Sequence, residues 1–132
     1  MSPEDALKIQ DKGADAIQVS NHGGRQLDSA TPSIDALPKI RDKIGKDFPI
    51  IFDSGIRSGS DIIRALALGA NFVMMGRPLM YAIGADGAKG LKRTLNIIKE
   101  ELTTNLGLVG LTNVNDISKE VIAQKFFQNI KY

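Results

Sequence analysis

Short apolar runs alternate along the chain with stretches in which apolar residues recur every three or four positions, and that alternation predicts parallel βαβ units. Ser2 offers a capping hydroxyl, Pro3 suits a first helical position, and Glu4 and Asp5 favour the positive end of a helix dipole. These signals predict a helix over Pro3–Lys12 that Gly13 ends. Ala14–Ser20 alternates toward a strand, with β-branched Ile17 and Val19, and runs into the turn-rich Asn21-His22-Gly23-Gly24-Arg25. A second helix, capped by Ser33 or Asp35, carries Ile34, Leu37, Ile40 and Ile44 on one stripe, with Pro38 confined to its first turn.

Pro49–Phe52 reads as the second strand, followed by Asp53-Ser54-Gly55-Ile56-Arg57 and a helix bearing Ile62, Ile63, Leu66 and Leu68, with Ser58 and Asp61 as a capping pair. Phe72–Met75 is apolar throughout, as expected of a strand buried on both faces of a parallel sheet, and leads into Gly76-Arg77-Pro78. The segment Gly13-Ala14-Asp15-Ala16-Ile17 echoes Gly69-Ala70-Asn71-Phe72-Val73, each placing a helix-ending glycine before a strand. A longer helix is expected from about Asp86 to Asn105, its stripe marked by Leu91, Leu95, Ile98 and Leu102. Beyond it, a short helix near Val114–Lys119 precedes a tail whose Phe126, Phe127 and Tyr132 either dock on a neighbouring surface or fray.

With 132 residues, the chain is expected to form one domain over residues 1–132 with a core of ordinary composition, 42% hydrophobic and 24% charged. Seventeen basic residues against fifteen acidic ones leave too small an excess to argue for nucleic acid. The absence of cysteine removes disulfides, thiolate metal sites and cysteine nucleophiles, and a single histidine removes any site needing two imidazoles from one chain. Phe72–Ala85 is the most apolar stretch, but Arg77 interrupts it and it is too short to span a bilayer. A cytoplasmic location is expected, with peripheral attachment to a membrane left open.

Polar and glycine-rich residues collect after the strands, where α/β sheets and barrels place their ligands. His22 can exchange a proton near neutral pH, and Arg25, three residues on, can grip a carboxylate with both arms. Side by side they could handle a small acid bearing a removable proton, although a lone histidine is commonly structural. Arg57 and Arg77 each follow a strand and a glycine, a placement suited to phosphate; surface ion pairs with acids are the alternative. Asp53 could accept hydrogen bonds from ligand hydroxyls or cap the turn after its strand. Lys89, Lys92, Arg93 and Lys99 read as a solvated helix face, and Met74, Met75 and Met80 as core filling.

The run Ser20-Asn21-His22-Gly23-Gly24-Arg25-Gln26-Leu27-Asp28 resembles the signature of FMN-dependent α-hydroxy-acid dehydrogenases and oxidases, among which the L-lactate dehydrogenases look nearest. The likeness continues in register through Asp53-Ser54-Gly55-Ile56-Arg57-Ser58-Gly59, Ala67-Leu68-Gly69-Ala70 and Gly76-Arg77-Pro78, leaving only about the last ten residues outside it. The resemblance implies a (β/α)₈ barrel, His22 as active-site base, Arg25 on the substrate carboxylate, and Asp53 on the FMN ribityl chain. It also implies that Ser54, Gly55, Ile56, Arg57, Gly76 and Arg77 complete the cofactor site, with glycines and arginines at the phosphate. The implied reaction oxidises a 2-hydroxy acid to a 2-oxo acid, with oxygen, a quinone or a cytochrome as electron acceptor. No metal is implied.

A whole barrel of this kind takes about 250 residues, so the chain matches only its C-terminal part, the last three βα units and the helices after them. The lysine that the family sets beside the flavin, and its substrate-binding tyrosines, would lie in the other part. Little or no turnover is therefore expected of the chain alone, and self-association or pairing with the complementary barrel part is expected from its open strand edges. A non-catalytic phosphate- or FMN-binding module acting as an assembly partner is the competing reading. An inosinate dehydrogenase-like barrel fits less well, having no evident need for His22 and Arg25 at this spacing.

Overall fold

The computed structural model describes residues 1–122, so Phe126, Phe127 and Tyr132 lie outside the described residues. The elements run α1 (Pro3–Asp11), β1 (Ile17–Val19), α2 (Ser33–Ile44), β2 (Ile50–Phe52), α3 (Gly59–Ala67), β3 (Phe72–Val73) and α4 (Arg77–Leu108). Single 3₁₀ turns at Val114–Asp116 and Lys119–Val121 replace the short helix expected after α4. Ser2 caps α1 by accepting the Asp5 N–H, and Ser58 does the same for α3 with the Asp61 N–H.

The strands form one parallel sheet in the order β1-β2-β3. Ile17 pairs with Ile50, and Val19, Phe52 and Val73 share a row, which sets these residues on the sheet face covered by helices. There they meet Leu37, Ile40 and Ile44 of α2 and Ile62 and Ala65 of α3 in one core. Gln18, Ile51 and Phe72 form the intervening row on the opposite face, and that row stays open.

Phe72 is 65% exposed and Met74 47%, so the third strand is not buried on both faces as its apolar run suggests. It pairs on one side only, and the opposite sheet face has no covering layer among the described residues. Met80 is exposed for the same reason, while Met75 does pack against the core.

Two helix starts also differ from expectation. Pro32 stands at the N-cap of α2 and provides no side-chain cap; Ser33, already inside the helix and buried, instead accepts the Asn21 N–H at 2.8 Å. Pro38 consequently falls in the second turn. α4 begins at Arg77, nine residues before the expected start, because Pro78 suits a first turn. Its two arms join through non-helical Asp86 and Gly87, the latter at φ +51°. The bend folds the second arm closely onto the first: a Cβ at Gly90 would lie 2.1 Å from the Ala82 carbonyl oxygen. Ile98 and Leu102 then pack on the core and Leu106 is buried, whereas Leu95, expected on the same stripe, is exposed.

Arg41 is the one charged core residue among the described residues, 8% exposed, and it ties together the end of the sheet opposite the polar loops. Nε donates to the Gly69 carbonyl at 2.8 Å, Nη1 to the Gly45 and Phe48 carbonyls at 2.6 and 2.7 Å, and Nη2 to Asn71 Oδ1 at 2.8 Å. Asn71 Oδ1 also accepts the Ile50 N–H at 2.9 Å, which links the starts of β2 and β3. Burial pushes the Arg41 pKa down from its ordinary value, and the charge of Asp47 opposes that shift.

Candidate functional site

Beyond the carboxyl ends of the three strands lies a cleft of about 280 Å³. The loop after β1 contributes His22 and Arg25, the segment after β2 contributes Asp53, Ser54, Gly55, Ile56 and Arg57, and the start of α4 contributes Gly76 and Arg77. All nine residues singled out in the sequence therefore face one recess. A second hollow of about 270 Å³ shares its Gly23–Ser54–Arg77 wall and opens toward Arg64 on the outer side.

Local folding explains the convergence. The Asn21 side chain accepts the Gly24 N–H at 3.2 Å and donates to the Thr31 carbonyl, so the loop after β1 closes into a tight turn instead of trailing away. Arg77 Nη2 donates to the Gly23 carbonyl at 3.2 Å, pinning that turn to the start of α4. Asp61 Oδ2 accepts both the Arg57 N–H and the Ser58 hydroxyl, which sets Arg57 just ahead of α3.

The electrostatics favour an anion. Arg25, Arg57 and Arg77 line the cleft, and among the described residues none of them pairs with a carboxylate. The surface-ion-pair alternative for Arg57 and Arg77 is thus not realised there. α4 begins without a side-chain cap; Pro78 has no N–H and the Leu79 and Met80 N–H groups donate to the Gly76 carbonyl, so among the described residues the Arg77 N–H is the first-turn amide left for a ligand. Asp53, the one carboxylate among these nine residues, accepts the Ser20 hydroxyl at 2.6 Å and the Ser54 hydroxyl at 3.2 Å. Guanidinium groups, the Arg77 amide and a carboxylate that accepts from hydroxyls around one recess are a hydrogen-bonding set that fits a polyhydroxy phosphate ester such as FMN.

Reading the sequence missed three contributors. Gln18 and Met74 line the floor of the cleft from the open sheet face, and Ser20 joins the Asp53 hydrogen bonds. Gln18 was legible as the inward position between Ile17 and Val19; Ser20 had no such signal, its partner lying 33 residues away.

Residues 1–124 match the FMN-dependent dehydrogenase family, whose members depend on FMN, and the chain belongs to that family. It is 44% identical over 124 residues to an L-lactate dehydrogenase of Pseudomonas syringae pv. syringae (strain B728a), covering 94% of this chain and 33% of that protein. To a 2-hydroxyacid oxidase of Dictyostelium discoideum it is 43% identical, covering 92% of this chain and 31% of the relative. Among solved structures, a mandelate oxidase with benzoyl-formic acid superposes with a TM-score of 0.83 at 43% identity, over 87% of this chain and 34% of the other. The (S)-mandelate dehydrogenase described as a monotopic membrane protein gives 0.87 at 39% identity, over 91% and 32%. The chain thus spans about a third of the length of these relatives. Among the described residues no helix is long and apolar enough to cross a membrane.

Proposed function

We propose that residues 1–132 are the C-terminal part of an FMN-dependent 2-hydroxy-acid dehydrogenase or oxidase domain, L-lactate-like in its relationships. This part supplies the base, the carboxylate clamp and the phosphate site of a barrel completed by other strands. One observation carries the reading: His22, Arg25, Arg57 and Arg77, spread over three loops, border a single cleft.

In this reading Arg25 fixes the substrate carboxylate with two parallel hydrogen bonds and so turns the 2-hydroxyl-bearing carbon toward His22. His22 accepts one proton, from the hydroxyl or from the carbon. Bound FMN supplies the two-electron sink for oxidation of the 2-hydroxy acid to the 2-oxo acid. Gly55, Arg57, Gly76 and Arg77 would hold its phosphate, and Asp53, with Ser54 and Ile56 beside it, would serve its ribityl chain. The final electron acceptor is oxygen, a quinone or a cytochrome.

The open row of Gln18, Ile51 and Phe72, with the outer edges of β1 and β3 unpaired among the described residues, supports association with a second copy or with the complementary barrel part. The test combines FMN fluorescence quenching with L-lactate oxidation in the presence of an artificial electron acceptor. Arg57→Ala and Arg77→Ala should weaken FMN binding at least tenfold. Turnover should be negligible for the chain alone, and should become His22-dependent when the complementary part is co-expressed. Binding that needs the arginines, but reconstituted turnover indifferent to His22→Ala, would favour the non-catalytic module instead.

A further inference from the structure

We propose that Ser20 and Ser54 are positioning residues for His22: both hydroxyls, oriented by Asp53, hold the His22–Gly23 backbone at the rim of the cleft. The inference rests on the reading of His22 as the base and concerns how that base is presented.

A carboxylate only accepts hydrogen bonds, so each serine hydroxyl that meets it must point its proton inward. Both hydroxyls meet the same oxygen, Asp53 Oδ2, at 2.6 Å from Ser20 and 3.2 Å from Ser54. Their lone pairs are thereby turned outward. Ser20 Oγ accepts the His22 N–H and Ser54 Oγ accepts the Gly23 N–H, both at 3.0 Å. Two consecutive amides of the loop after β1 are thus held by one carboxylate at the end of β2, through two oxygens 3.2 Å apart. Among the described residues Asp53 Oδ1 accepts no hydrogen bond, which leaves it for the ligand hydroxyl that the FMN reading places there.

The backbone shows why such a tether is needed. His22 sits at φ +59° and Ser54 at φ +87°, a region that side chains other than glycine rarely adopt. Such a residue persists only where its surroundings impose it. Without the two amide bonds, nothing else among the described contacts restrains the His22 N–H, and the imidazole would follow the relaxing backbone.

Because the chain contains one histidine, its ring signals in a proton NMR spectrum are unambiguous. The experiment measures solvent exchange of the His22 and Gly23 amides in the ¹⁵N-labelled chain, with the Ile50 and Phe52 amides as a check on folding. Ser20→Ala should speed His22 amide exchange roughly five- to tenfold, as expected for the loss of one ordinary hydrogen bond, and should move the ring signals. Ser54→Ala should act on Gly23, Asp53→Ala on both amides, and Ser20→Thr, which keeps the hydroxyl, should restore wild-type behaviour. Unchanged exchange at both amides in Asp53→Ala, with the strand amides intact, overturns the tether. So does Ser20→Thr behaving like Ser20→Ala. If Ser20→Ala loses its strand protection, the Ser54→Ala and Ser20→Thr pair decides by the same criteria. A separate arm adds FMN to the wild-type chain: His22 ring signals that ignore it, while the amides behave as expected, sink the flavin reading and leave the tether standing.

Discussion

Replacing Arg41 by methionine should destabilise the chain more than any surface change, because it removes four short charge-assisted hydrogen bonds at once. Methionine keeps most of the buried alkyl length, so the loss reports the guanidinium and not a cavity. Left behind are the Gly45, Phe48 and Gly69 carbonyls and one bond fewer to Asn71 Oδ1. A buried acceptor without its partner costs about 1–3 kcal/mol. Set against this, the desolvation penalty that holds the Arg41 pKa down disappears with the charge. Three orphaned carbonyls at that cost, partly offset by the relieved desolvation, give a net loss of about 3–5 kcal/mol. A chain of this size has about 7–20 kcal/mol in total. In urea, with a slope of about 2 kcal/mol per molar, the unfolding midpoint followed by far-UV circular dichroism should fall by about 1.5–2.5 M. Arg41→Lys should recover only part of that loss, since one ammonium cannot reach acceptors set around a planar fork. A loss below about 1 kcal/mol for Arg41→Met, at an unchanged slope, would refute the claim that this residue staples the sheet end.

Three further substitutions probe other parts of the fold. Gly90→Ala should destabilise by about 1–3 kcal/mol despite alanine's better helix propensity, because its methyl meets the Ala82 carbonyl; a rise in Tm would contradict this. Ser58→Ala should cost about 1 kcal/mol by uncapping α3, and in a double-mutant cycle with Asp61→Ala the two effects should fall short of additive. Phe72→Lys should shift sedimentation of the chain toward monomer, and an unaltered distribution would show that the open sheet row does not drive association.

The helices around the core were legible because each carries a clear signal: Ser2 and Ser58 as caps, and Leu37, Ile40 and Ile44 at helical spacing. The cleft was legible too, since parallel strands deliver the residues after them to one rim, and His22, Asp53, Arg57 and Arg77 all follow strands. What escaped has physical causes. Arg41 stands with Lys43 in the last turn of α2, where a basic residue ordinarily serves the helix dipole, so nothing local marks it as buried. Phe72 and Met74 read as core because an apolar run says nothing about how many neighbours its strand has. The first arm of α4 was hidden by Gly76, Gly84 and Gly87, which interrupt the apolar period, although Pro78 is a helix-starting residue.

The ties among Ser20, Asp53, Ser54, Gly23 and Arg77 begin and end within residues 20–77, so they ask nothing of the strands that other segments would contribute. A gene fusion, split or exchange made upstream of β1 would therefore carry this rim intact into a new protein. The remainder of such a protein could then diverge while the contacts that shape this edge travelled together as one heritable module.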